Sequence, residues 1–219
     1  RPGAAGPLSP EAQAYMQQYN VSEELLSSVA VKNHYLGSLN TKAQFQNLIT
    51  ITDVMKSTKI ADPLKLLDCS PISDGASAII ISSEEVKGAL QPVYISASEV
   101  ATDTLALYQR ESFTTLSSVT RAANSAYLKA NITPSDIDVA EIHDCFSIAE
   151  VIATEDLGFS KKGKGAEDIA EGKYTLGKGK IITNPSGGLK ACGHPVGATG
   201  IKQIVEITEQ LRGQAGSRQ

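Results

Sequence analysis

Two short stretches hold most of the residues able to move protons or form covalent bonds. HDCF at 143–146 and CGHP at 192–195 contain two of the three histidines and two of the three cysteines. In HDCF, His143 ends a predicted strand and Cys145 sits at a helix N-terminus, where the positive end of the helix dipole favours thiolate and lowers the thiol pKa. Such a cysteine can give or take a proton near neutral pH. In CGHP, Pro195 biases His194 away from helical backbone and Gly193 lets the chain turn tightly beside it. The glycines of NPSGGLKACGHPVGATG, 184–200, would hold that imidazole at a fixed angle and let a ligand approach the main chain.

Each residue has a plainer reading as well. His143 alone reads equally as a capping or core histidine, and Cys145 or Cys192 alone reads better as a small buried apolar residue. Cys69, in LLDCSPISDG, reads as structural. H-x-C at 143–145 and C-x-H at 192–194 offer four zinc-type ligands, but neither pair has the usual two-to-four-residue gap, so the reading carries no metal. The glycine cluster fits neither the dinucleotide fingerprint nor the phosphate-binding P-loop.

The surrounding pattern predicts elements that would bring the two loops together. Residues 9–58 read as helical: Ser9 as N-cap with Pro10 in the first turn, Ser22 capping EELLSSVAVKNHYLGSL, and Thr52 capping a short third helix. After IADP, 60–63, the texture changes to β-branched runs, DGASAIIIS at 74–82 and VYISASEV at 93–100, read as strands. A helix over 114–130, the turn TPSD, a strand DVAEI at 138–142 and a helix at 147–157 follow. KKGKGAEDIAEGKYTLGKGK, 161–180, reads as a polar surface excursion. A strand at 181–183, the glycine loop and a helix carrying Ile201, Ile204, Val205 and Leu211 complete the pattern. Alternating strands and helices predict an α/β layered domain over 64–219, regular to about 212, with 1–63 as a helical portion. Both chemical loops then lie at carboxyl ends of strands, where open α/β sheets hold ligands.

Composition narrows the partners. The 219 residues are 41% hydrophobic, enough for one or two layered domains with a core. Twenty basic against 24 acidic residues, net −4, with no long single-sign run, lack the electrostatic footprint of a nucleic-acid binder. No apolar stretch approaches the roughly 18 residues of a membrane span, and RPGAAGPLSP has no apolar signal-peptide core. Three cysteines fit a reducing compartment better than a disulfide framework. The C-terminal SRQ is not an SKL-type address, and the expected location is cytoplasmic.

EIHDCFSIAE followed by NPSGGLKACGHPVGATG, preceded by IADPLKLLDCSPISDGASA, resembles the C-terminal half of a thiolase, of the sterol-carrier-protein and archaeal types. The resemblance runs over nearly the whole chain and rests on the ordered set of motifs. It implies a thiolase-like layered fold with part of the helical loop domain at 1–63. By the same resemblance, His194 is the base that activates a nucleophilic cysteine, which carries the acyl group as a thioester. His143, where most thiolases have an Asn that holds a water, helps form an oxyanion hole. Cys145 is the acid/base acting on the substrate's α-carbon, and Ser70 and Phe146 line the pantetheine tunnel of coenzyme A. No metal or organic cofactor beyond the CoA carrier is implied. The nucleophilic cysteine is expected in an N-terminal half, in the same parent chain or in a partner subunit, and the parent is expected to be a homo-oligomer. The expected activity is thiolysis of a 3-ketoacyl-CoA or the reverse condensation, with this chain inactive alone. A thiolase-like aldolase on CoA-linked substrates and a non-catalytic acyl-CoA-binding or scaffolding subunit are the alternatives.

Overall fold

Side-chain caps set the second and third helices; at the first, Leu8 rather than the expected Ser9 holds the N-cap position and makes no capping bond, because Ser9 lies in the first turn with its hydroxyl donating to the Asp62 carbonyl. In the computed structural model, which describes residues 8–86, 88 and 91–219, α1 runs over Ser9–Tyr19 and ends at Asn20 in left-handed backbone. Residues 1–7, part of the stretch read for an export signal, lie outside the described residues. Helix α2, Glu23–Ser38, is capped as expected: the Ser22 hydroxyl accepts the Leu25 N–H at 3.3 Å. Helix α3, Ile51–Lys56, is capped by Thr50 rather than Thr52. The reason is the residue three positions on: Thr50 is followed by Asp53, which returns a bond to the Thr50 N–H at 2.8 Å, whereas Thr52 is followed by Met55.

Strands β1, Lys59–Ala61, and β2, Leu64–Lys65, form a short antiparallel pair. Helix α4, Ser117–Ala130, ends at left-handed Asn131. Strand β3, Val139–Ala140, pairs in parallel with β4, Ile182–Thr183, and between them lie α5, Ser147–Asp156, and α6, Gly165–Ala170. A five-residue helix α7, Gly188–Cys192, and helix α8, Thr199–Leu211, follow β4.

Helix α2 is the hub, packing against α3, α5, α6 and α7. Tyr15, Val29, Leu64, Ile148 and Ile152 meet in one core that joins the helices before residue 63 to those after it. Burying each such aliphatic side chain is worth about 1.5–3 kcal/mol.

Two expectations change. The stretch 161–180 is not a mere surface excursion: it contains α6 and sends Ala166, Ile169 and Tyr174 into the core. Its Lys and Gly content masks three well-spaced apolar residues. The runs 74–82 and 93–100 are not strands here. Their alternating composition suits a sheet, but a strand persists only when its N–H and C=O groups find a ladder, and among the described residues neither run has one. Ile80 at 97% and Val100 at 91% exposure stand in solvent.

Candidate active site

The parallel β3–β4 pair delivers both chemical loops to one end. Asn184, in left-handed backbone just after β4, fixes their register: its N–H donates to the Ala140 carbonyl at 2.8 Å, and its side-chain oxygen accepts the Ile142 N–H at 2.7 Å. HDCF leaves β3 and enters α5, while NPSGG leaves β4 and enters α7, whose C-terminus leads into Gly193 and His194.

The loops meet at their imidazoles. The rings of His143 and His194 lie 5.0 Å apart, centroid to centroid, edge to face at 83°. His194 Nδ1 is 2.8 Å from the Thr199 hydroxyl, and that hydroxyl also lies 3.0 Å from the Pro195 carbonyl. A carbonyl can only accept, so the single hydroxyl proton goes to Pro195 and Thr199 accepts from Nδ1–H. That fixes the tautomer and leaves Nε2 unprotonated, the form a general base needs.

Charge reinforces this. Partial burial, the neighbouring His143 and the Lys202 ammonium push the His194 pKa below the usual histidine range. Burial against the protein, with Lys202, does the same to His143, although more than a third of its surface stays open to solvent. Lys202 is held in place by the Gly193 carbonyl at 2.9 Å. Both imidazoles are therefore neutral at pH 7.

Cys145 departs from expectation. Burial pushes its thiol above the ordinary cysteine value; the Lys190 ammonium and nearby backbone N–H groups pull the other way and Asp144 adds to the rise. The helix-start effect read from the sequence is present, but the loss of hydration outweighs it. The thiol stays protonated at neutral pH, which is the donating form. Cys69 is pushed further, up to about 11, by burial. Cys192, also raised by burial, packs with its sulfur 3.7 Å from the Asn40 amide. Among the described residues no group of three or more His, Cys, Asp or Glu side chains is arranged to hold a metal ion.

Ser70 and Phe146 join the same centre: the Ser70 N–H donates to the Cys145 carbonyl at 2.9 Å, and Cys69 and Phe146 form an isolated antiparallel bridge. An apolar cavity of about 600 Å³, lined in part by Val119, Ile142, Ala149 and Ile207, reaches His143 and Cys145. A second cleft of about 450 Å³ runs between residues 73–77 and 195–198, the latter directly following His194 in the chain. The third histidine, His34, is a buried residue stacked on Phe45, with Nδ1 3.3 Å from the Asn47 carbonyl.

Residues not singled out in the sequence hold these groups in place. Asp144, fully buried inside HDCF, accepts the Leu189 N–H at 2.6 Å and the Asn33 amide at 2.7 Å, with the Lys190 N–H at 3.3 Å. One carboxylate thus caps α7 and ties the two loops together. The signal was visible in part: an Asp between His143 and Cys145, and a Gly-Gly pair able to expose backbone donors. Gly188, at φ +60°, is required there, since a Cβ would stand 2.5 Å from Asp144 Oδ2. Gly188→Ala is expected to destabilise the protein by about 1–3 kcal/mol and to disturb the ring geometry. A melt and the alkylation rate of Cys145 measure the two effects; an unchanged melt contradicts the packing. Likewise a Cβ on Gly193, at φ +102°, would meet Ser73 Oγ at 2.8 Å, and that same hydroxyl accepts the His194 N–H at 3.0 Å.

With this arrangement in view, comparison with known proteins is direct. The family model "Thiolase, N-terminal domain" matches residues 7–85, and "Thiolase C-terminal domain-like" matches residues 99–219. The chain belongs to the thiolase family. An acetyl-CoA acetyltransferase of Methanothermobacter thermautotrophicus is 48% identical over 210 residues, which is 95% of this chain and 55% of that protein. Human sterol carrier protein 2 is 40% identical over 228 residues, 99% of this chain and 42% of that protein. The chain thus spans about half the length of these relatives. Among solved structures, an Ltp2-ChsH2(DUF35) aldolase superposes with a TM-score of 0.80 at 25% identity, covering 98% of this chain and 59% of that one. These matches bear out a thiolase-like α/β fold. In this thiolase-family chain no helix among the described residues is long and apolar enough to cross a membrane.

Proposed function

We propose that this chain supplies the acid/base and oxyanion-binding groups of an acyl-CoA thiolase, cleaving a 3-ketoacyl-CoA with CoA or condensing two acyl-CoA units in reverse. The observation that carries the reading is the edge-to-face pair of neutral imidazoles, one with its Nε2 left free by Thr199, beside the protonated thiol of Cys145. Acetyl-CoA acetyltransferases among its relatives support it.

In this reading His194 takes the proton from a nucleophilic cysteine carried by a segment outside these residues. That thiolate attacks the 3-keto carbonyl, and the C2–C3 bond breaks. The electron pair leaves as the enolate of acetyl-CoA, which takes its proton from Cys145 Sγ. His143 and His194 donate hydrogen bonds to the developing thioester oxyanion, His194 in its protonated form. CoA then attacks the acyl-enzyme thioester, Cys145 recovers its proton from the incoming thiol, the nucleophilic cysteine departs as thiolate and takes back its proton from His194, and the acyl group leaves as a shortened acyl-CoA. Ser70 and Phe146 flank the pantetheine arm. The only carrier required is CoA, the working form is a homo-oligomer, and the compartment is the cytoplasm.

Cys145→Ala tests the assignment in the enzyme that contains these residues. It is expected to retain the acyl-enzyme, seen as an added acyl mass on incubation with acyl-CoA, and to lose exchange of the α-proton of acetyl-CoA with deuterated solvent. Retention of both reactions removes Cys145 from the mechanism. The aldolase likeness supports a second reading, retro-aldol cleavage of a CoA-linked substrate. That chemistry passes through no acyl-enzyme, so the same mass measurement separates the two.

A further inference from the structure

Lys190 is among the most buried side chains of the protein, 1% exposed, on the α7 turn that leads to His194. Its ammonium donates to the carbonyl of Asp68 at 2.7 Å and to the carbonyl of Asp144 at 3.1 Å. No carboxylate among the described residues lies within 4.0 Å of it. These two carbonyls belong to the peptide units that enter Cys69 and Cys145. One side chain therefore spans three segments: the 68–70 stretch with Ser70, the HDCF loop, and the loop of His194. A buried ammonium costs several kcal/mol in lost hydration, and neutral carbonyls return only part of it. A methionine would fill the same space without that cost. The charge stands where two cysteine-bearing segments meet.

We propose that Lys190 is the positioning cation of the site: it clamps the Asp68 and Asp144 carbonyls, so holding Ser70 and Cys145 against the His194 loop, and presents a positive charge to the Cys145 sulfur. The role of Cys145 itself rests on the thiolase reading. The groups facing that sulfur are Lys190 from α7, Asp144 and His143 from its own loop, and Cys69 from the facing segment. Of these Lys190 is the only cation. The Lys190 charge favours the Cys145 thiolate and Asp144 opposes it. Cys192 faces Lys202 instead and serves as an internal control.

The test compares Lys190→Met, which removes donor and charge, with Lys190→Gln, which keeps a donor and removes only the charge. Iodoacetamide alkylation of each cysteine is followed against pH by peptide mass mapping. In both variants the Cys145 midpoint is expected to rise by about one pH unit, a roughly tenfold slower reaction at a fixed pH below it, with Cys192 unmoved. An unchanged Cys145 midpoint in a folded variant overturns the proposal. Should neither variant fold, the ¹⁵Nζ resonance of Lys190 in the unmodified protein decides. Its chemical shift moves in step with deprotonation of the Cys145 thiol, and loses that step in Cys145→Ser, if the charge acts on the sulfur; a flat resonance overturns it. Neither readout uses substrate, so failure here leaves the thiolase reading standing, and failure of that reading appears only in the acyl-enzyme and deuterium-exchange assays.

Discussion

Replacing His194 by alanine is expected to slow formation of the acyl-enzyme by about 10²–10⁴-fold, the usual contribution of a positioned general base. The imidazole is built for that role from three sides. Its backbone N–H is held by Ser73, its Nδ1–H by Thr199, and its proton affinity is lowered by burial, His143 and Lys202. Thr199→Val removes the tautomer lock while leaving the ring present. It is expected to cost less than alanine at 194 and to do so in the acylation step rather than in substrate affinity. The pH profile gives the sign: with a His194 pKa below the usual histidine value, acylation holds through neutrality and declines only as the pH falls through that lowered value. A rate that is unchanged in His194→Ala, or a profile that instead declines with rising pH through neutrality, removes His194 as the base.

The largest expected effect on stability lies one layer behind the site. Lys32 of α2 and Glu150 of α5 form an ion pair at 2.7 Å with almost no solvent exposure. Lys32 also donates to the Thr183 carbonyl of β4 at 2.9 Å, and Asn33 bridges the Glu150 and Asp144 carboxylates at 2.7 Å each. Burial works against the Glu150 carboxylate, but the Lys32 ammonium and the hydrogen bonds from Lys32, Asn33 and Thr183 more than offset it, so its pKa lies below the usual glutamate range. Lys32→Met leaves that carboxylate buried without its cation and is expected to cost about 3–5 kcal/mol, a fall in Tm on the order of 10 °C. The sign with pH follows from the lowered value. The pair's contribution is complete above the unfolded glutamate pKa of about 4.3 and is lost as the pH drops through the lower folded one. Calorimetry of the wild type and Lys32→Met should therefore give melts that converge in acid. A constant separation down to low pH would show that Lys32 contributes packing rather than charge. Glu141 runs with the opposite sign. Burial raises its carboxyl to about 7, so its effect is absent in acid and weakens the fold as the pH rises from about 4.5 toward 7.

The sequence by itself determined the helices of this protein other than α6 and α7, and its two chemical loops. Local signals suffice for these: Ser22 caps α2, Asn131 and Gly158 end α4 and α5 in backbone that few other residues adopt, His143 and Cys145 stand in the loop after β3, and His194 stands in the stretch between β4 and α8, just past α7. The ordered motifs around them were enough to indicate the family. Tertiary structure alone decided the rest, because the deciding terms act between residues distant in sequence. Whether 74–82 and 93–100 are strands depends on a partner ladder that no local pattern specifies. Whether 161–180 is surface or core depends on where Ala166, Ile169 and Tyr174 fall against α2 and α5. The Cys145 pKa followed burial rather than the helix start, since desolvation is set by what packs over the thiol. Asp144, Lys190 and Thr199 have no chemistry legible in isolation. They act because folding sets a carboxylate from one loop onto the backbone of the other, an ammonium between two carbonyls 76 residues apart, and a hydroxyl on the one nitrogen of His194 that must keep its proton.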